Sequence, residues 1–130
     1  MKILVGYDGS NSSKAAVELA VAHAKAFGGE VLLVTSLTGG SETTTEDIDK
    51  AKEGLESAEA LVKAAGVPCE FHLLVRDSAP GEDIVGFAVK NHVDEIIVGV
   101  RRRSKVGKLV FGSTAQFVIL EAPCPVVSVK

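Results

Sequence analysis

Tryptophan is absent from this 130-residue sequence and tyrosine occurs once, so any core must be built from aliphatic side chains. Cysteine is nearly as scarce. Cys69 and Cys124 stand apart, with no CxxC and no histidine beside either. They read as small apolar residues in a reducing compartment, not as a redox pair. No apolar run approaches the roughly 18 residues of a membrane helix. The N-terminus opens on a strand pattern, without the apolar stretch and small-residue cleavage site of a secretory leader. The expectation is therefore a cytoplasmic protein with no membrane partner. A net charge of −3 lacks the basic excess of a general nucleic-acid binder. GxxxxGK[ST], GxSxG and HExxH are all missing. No internal repeat, linker or low-complexity stretch divides the chain, and its length suits one domain over residues 1–130.

What is present has an ordinary globular balance, 46% apolar and 24% charged. Residues 2–7 (KILVGY) suit a short strand buried on both faces. Asp8, Gly9, Ser10, Asn11 and Ser12 form a turn-rich cluster, with helix N-cap candidates from Ser10 to Ser13. Over residues 13–27, Ala16, Leu19, Ala20, Ala24 and Phe27 recur at helical spacing. The alanines imply close approach to a sheet, and Gly28-Gly29 closes the helix. Residues 30–37 read as a second buried strand and residues 38–45 as a polar loop. Thr43 and Glu46 offer a capping box for a helix to about residue 65, with Ile48, Ala51, Leu55, Ala58, Val62 and Ala65 on one face. In residues 69–76, Glu70 and His72 alternate with Phe71 and Leu73, as on a sheet edge. Asp77, Ser78, Ala79 and Pro80 open a helix to about residue 91, with Ile84, Phe87 and Ala88 inward. Residues 93–99 and 126–129 are the last two strands. Between them, Ser113 and Gln116 are a capping-box candidate for a helix that stops before Pro123. The order β-α-β-α-β-α-β-α-β predicts an α/β fold, a parallel sheet covered on both faces through right-handed crossovers.

The cations are concentrated. Arg101, Arg102, Arg103, Lys105 and Lys108 fall in one stretch, and no acid stands between Glu95 and Glu121. The stretch joins a strand ending at Gly99 to a helix opening at Gly112-Ser113. A helix N-terminus favours an anion through its free N–H groups and its dipole. A solvated surface loop is the plainer reading. Ligands of open α/β sheets sit beyond the carboxyl ends of strands, where the strand order reverses. If strands 1 and 4 are neighbours, Asp8 faces the basic stretch. There it suits ribose hydroxyls or metal-bound water near phosphates, while an Asx turn or a helix cap would use it equally well. Gly112 lets a phosphate approach the backbone and Ser113 can donate to it, although a plain N-cap would look the same. His23, His72 and His92 read as packing or surface residues. No catalytic set stands out.

Three stretches, ILVGYDGS at 3–10, GVRRRSKVGKLVFGST at 99–114 and EAPCPVVSVK at 121–130, together resemble the universal stress protein family, in order and along essentially the whole chain. The resemblance implies an open five-stranded parallel sheet in the order 3-2-1-4-5 with two helices on each face, a Rossmann-type sandwich like that of adenine-nucleotide alpha hydrolases. It implies a cytoplasmic homodimer paired antiparallel through the last strands, here Pro125, Val126, Val127, Ser128 and Val129. One branch of the family binds ATP through G-x2-G-x9-G-[S/T]. On this chain the first glycine is Gly99 and the last pair is Gly112-Ser113, with the spacing intact. The middle glycine falls on Arg102, a departure that either blocks the approach to the phosphates or supplies a compensating cation. Thr35 matches the position whose backbone contacts adenine. The implied binding set is Tyr7, Asp8, Thr35, Gly99, Val100, Arg101, Arg102, Arg103, Ser104, Lys105, Gly112, Ser113, Thr114 and Ala115.

Three functions compete. The first is a stress-response regulator that binds ATP or another adenine nucleotide, with or without Mg2+, and has at most slow ATP hydrolysis. The second is a ligand-free member acting only as a dimeric interaction protein, a reading that Arg102 feeds. The third is a phospho-acceptor domain of the receiver type, which would use Asp8, Asp77 and Lys130 and needs the strand order 2-1-3-4-5.

Overall fold

A strand that is apolar on both sides needs cover on both faces, and each amphipathic stretch between strands supplies one helix of that cover. The computed structural model describes residues 1–38, 43–76, 79–100 and 112–130. Among them the elements are β1 (Lys2–Gly6), α1 (Asn11–Phe27), β2 (Glu30–Thr38), α2 (Thr45–Ala64), β3 (Cys69–Arg76), α3 (Pro80–Lys90), β4 (Glu95–Gly99), α4 (Ser113–Glu121) and β5 (Val126–Val129). The strands pair in parallel, with Ile3 beside Val31 on β2 and Leu4 beside Ile96 on β4. The sheet order is β3-β2-β1-β4-β5, as the resemblance implied. A receiver domain would need 2-1-3-4-5, so that alternative falls. The edge position expected for β3 from its alternation also holds.

Side chains alternate across the sheet and divide the core in two. Ile3, Val5, Leu33 and Ile97 pack with Ala16, Ala20, Leu55 and Ala58 beneath α1 and α2. Leu4, Leu32, Val34, Ile96 and Val98 pack with Ile84, Ala88, Ala115 and Val118 beneath α3 and α4. Two helices therefore cover each face. Ala16 and Ala20 are fully buried, consistent with α1 lying close on the sheet. Each buried aliphatic side chain contributes about 1.5–3 kcal/mol relative to exposure, which is how a core without tryptophan holds.

Some local expectations shift. Phe27 is 65% exposed rather than inward. A 17-residue helix is about 25 Å long, while five-residue β1 spans about 17 Å. The last turn of α1 therefore overruns the strand, and the Phe27 ring stands T-shaped to that of His23, with centroids 6.0 Å apart. Gly28, left-handed at φ 69°, then turns the chain back. The capping box of α2 is Thr44 with Asp47, one residue beyond the expected Thr43 and Glu46. The start of α3 comes from Pro80 at its first position after an extended Ala79; Asp77 and Ser78, expected to share in it, lie outside the described residues. The capping box expected of Ser113 and Gln116 is not made. Gly112 is the cap, Ser113 is the first helical residue, and the Gln116 N–H donates to the Gly112 carbonyl.

Two of the three histidines, His23 and His72, have structural partners. His23 Nδ1 lies 2.6 Å from Glu95 Oε1, tying α1 to the start of β4. The ring of His72 tilts against Phe87 at 4.8 Å. Among the described residues, no helix is long and apolar enough to cross a membrane.

Candidate functional site

The connection after β1 crosses one face of the sheet and the connection after β4 crosses the other. The strand order reverses between these two neighbours, and a crevice must open beyond their carboxyl ends. A cavity of about 340 Å3 lies there. Gly6, Tyr7, Asp8, Ser10 and Ser13 line it after β1, and Val34 and Ser36 line it from β2. Pro80 and Ile84 of α3, Val98 and Gly99 of β4, and Gly112, Ser113, Thr114 and Ala115 at the start of α4 complete it.

The β1 side is held by the protein's own hydrogen bonds. The Tyr7 N–H donates to the Val34 carbonyl at 2.8 Å. Thr35 Oγ1 donates to the Tyr7 carbonyl at 2.7 Å. Asp8 Oδ1 accepts from the Ser10 N–H at 2.9 Å, the Asx turn that the sequence left open. Ser10 Oγ in turn accepts from the Ser13 N–H at 3.2 Å and caps α1. The Tyr7 ring belongs to the core beneath α1 and α2. Burial first, and the Asp8 carboxylate second, push its phenol above the ordinary value. Gly99 is required by packing: a Cβ there would lie 2.6 Å from Ser12 Oγ and 2.7 Å from the Ser12 carbonyl carbon.

The α4 side differs. Among the described residues no side-chain hydrogen bond caps the helix, whose first turn also carries no acidic residue. Its cap, Gly112, has ordinary extended backbone at φ −62° and ψ 155°. A Cβ on Gly112 would meet no described atom within 4 Å. Neither the backbone angle nor a described neighbour requires glycine there. The N–H groups of this first turn have no helical carbonyl to meet and favour an anion.

The structure thus brings Tyr7, Asp8, Gly99, Gly112, Ser113, Thr114 and Ala115 together around one cavity. Thr35 is not in the lining. It is 8% exposed and holds the Tyr7 carbonyl from the opposite face. Val100 is also buried, and its N–H donates to the Val129 carbonyl at 2.6 Å. Arg101, Arg102, Arg103, Ser104 and Lys105 lie outside the described residues, as does Lys108. The residues on either side of that stretch, Gly99 and Gly112, both belong to the cavity wall.

Sequence reasoning missed Ser36 and Asp83. Ser36 Oγ donates to Asp83 Oδ2 at 2.6 Å, and Asp83 is 6% exposed on α3. The signal was a serine inside the apolar run of β2, two places after Val34 and so on the same face. Among the described residues no cluster of three or more His, Cys, Asp or Glu side chains could hold a metal ion. Both cysteines are free and half-buried. Burial is the main cause that pushes the Cys69 thiol up to about 11 and raises Cys124 as well, so neither is a ready nucleophile at neutral pH.

The sequence profile of the Universal stress protein family matches residues 1–130. A Thermus aquaticus relative, the universal stress protein in the QAH/OAS sulfhydrylase 3′ region, is 37% identical, covering 98% of this chain and 97% of its own. A solved universal stress protein from Archaeoglobus fulgidus is 42% identical with a TM-score of 0.92, covering 100% of this chain and 98% of its own. A second Archaeoglobus fulgidus structure, of the universal stress protein in complex with dAMP, is 38% identical with a TM-score of 0.86 and the same coverage. With one fold, one profile and one set of relatives spanning its full length, this chain belongs to the universal stress protein family.

Proposed function

We propose that this protein binds an adenine nucleotide in the cavity beyond β1 and β4 and acts as a stress-response regulator with little or no catalysis. The observation that carries the reading is the start of α4: a helix N-terminus that no side chain caps among the described residues, opening on a cavity whose far wall holds Asp8. Phosphate would meet the N–H groups of residues 112–115, with Ser113 and Thr114 as hydroxyl donors. Asp8, fixed by its Asx turn, would accept from ribose hydroxyls. Arg101, Arg102, Arg103 and Lys105 would neutralise the phosphates, and ATP, with or without Mg2+, is the proposed ligand. The dAMP-bound relative supports the nucleotide class. Among the described lining residues Asp8 is the only carboxylate and there is no histidine, which favours a binding role over general-base chemistry.

A homodimer in the cytoplasm belongs to the same proposal. β5 is the sheet edge opposite β3, and Val126, Val127 and Val129 are only half-buried, so the strand offers a hydrogen-bonding edge to a second copy. The test is calorimetric titration with AMP, dAMP, ATP and Mg-ATP, with light scattering on the same sample. One nucleotide bound per chain in a dimer supports the proposal. No heat up to millimolar nucleotide from an intact dimer would select the ligand-free interaction protein instead.

A further inference from the structure

We propose that Ser36 and Asp83 together make the cavity select a purine with a 6-amino group over one with a 6-oxo group. The inference rests on the nucleotide reading above and names what that reading leaves open, the device that recognises the base. Ser36 lines the cavity from β2, and its hydroxyl donates to Asp83 Oδ2 at 2.6 Å. Asp83 is buried in the first turn of α3. A serine hydroxyl has one proton to give and two lone pairs to offer. With the proton committed to Asp83, Ser36 presents only lone pairs to the cavity. A ligand N–H can meet them. A ligand carbonyl would set acceptor against acceptor, a mismatch that polar sites reject strongly.

The placement assigns this acceptor to the base. The start of α4 lies at the β4 side, Asp8 follows β1, and Ser36 sits on β2. Neighbouring strands are about 4.8 Å apart, so two steps across the sheet cover roughly 10 Å. Phosphate, sugar and base would then lie over β4, β1 and β2 in that order. Val34 and Ile84, apolar residues of the same wall, suit the faces of a planar ring. Asp83 acts as a positioning residue, because it fixes the direction of the Ser36 proton without lining this cavity.

The experiment compares AMP with IMP, which presents an oxo group in place of the amino group at position 6 and an N–H in place of the bare nitrogen at position 1. The wild type is expected to bind AMP at least about tenfold more tightly. Ser36→Ala should bring that ratio below about threefold, chiefly by weakening AMP. Asp83→Ala frees the hydroxyl to donate, so IMP should gain affinity; a purely structural role would weaken both nucleotides alike. Ser36→Ala removes one part-buried hydroxyl and carries the test alone if Asp83→Ala does not fold. A wild type that binds both nucleotides equally, or a Ser36→Ala variant that keeps the full preference, overturns the inference and leaves nucleotide binding intact. A wild type that binds neither removes the nucleotide reading, and this inference falls with it.

Discussion

The two glycines at the cavity rim have opposite reasons for being glycine. At Gly99 the protein fills the space where a side chain would go, because the first turn of α1 presses Ser12 against the end of β4. At Gly112 no described atom of the protein is near, and the backbone angles suit any residue. The same contrast runs through the two walls. On the β1 side, Tyr7, Asp8, Ser10 and Thr35 are tied to one another and to β2. On the α4 side the helix start faces the cavity with no side-chain cap among the described residues. Among the described residues one wall is closed by the protein's own hydrogen bonds, and the other is not.

That contrast can be broken by substitution. Gly99→Val should have the largest effect, a loss of about 3 kcal/mol of stability, because a Cβ must displace backbone rather than a flexible side-chain tip. Chemical denaturation measures it, and a loss below 1 kcal/mol would mean that the packed wall yields easily. Gly112→Asp should move two quantities in opposite directions. The carboxylate is a favoured N-cap and should add up to about 1 kcal/mol of stability. It should also weaken nucleotide binding at least tenfold (about 1.4 kcal/mol) by occupying the anion's place. A variant equally stable and equally able to bind would show that the open wall is not the phosphate site. Thr35→Val should have the smallest effect, about 1 kcal/mol, through loss of the single bond to the Tyr7 carbonyl. Thermal unfolding reads that loss, and unchanged stability would place the anchoring of the β1 turn elsewhere.

The fold was legible because its signals are periodic. Alternating apolar runs and helical stripes gave the element order, and Glu70 with His72 marked β3 as an edge strand. Local details were less legible where two residues of like chemistry compete. Thr43 and Thr44 are both good caps, and only the chain path into α2 chose the second. Phe27 continues the apolar stripe of α1, yet the helix is longer than the sheet beneath it. At the site, residues close in sequence to the turns were found, whereas Ser36 and Asp83 were not. Forty-seven positions separate them, and neither residue alone suggests a ligand.

The sequence by itself determined the α/β alternation, the aliphatic core and the crowding of cations between Gly99 and Gly112, because each depends only on residue type and spacing along the chain. The tertiary structure decided which of those residues share a cavity and which serve packing. Asp8 and Ser113 line the same cavity because β1 and β4 are neighbours. Thr35 turns from the cavity to the Tyr7 carbonyl because successive side chains on β2 point to opposite faces. Ser36, one place further on, faces the cavity for the same reason.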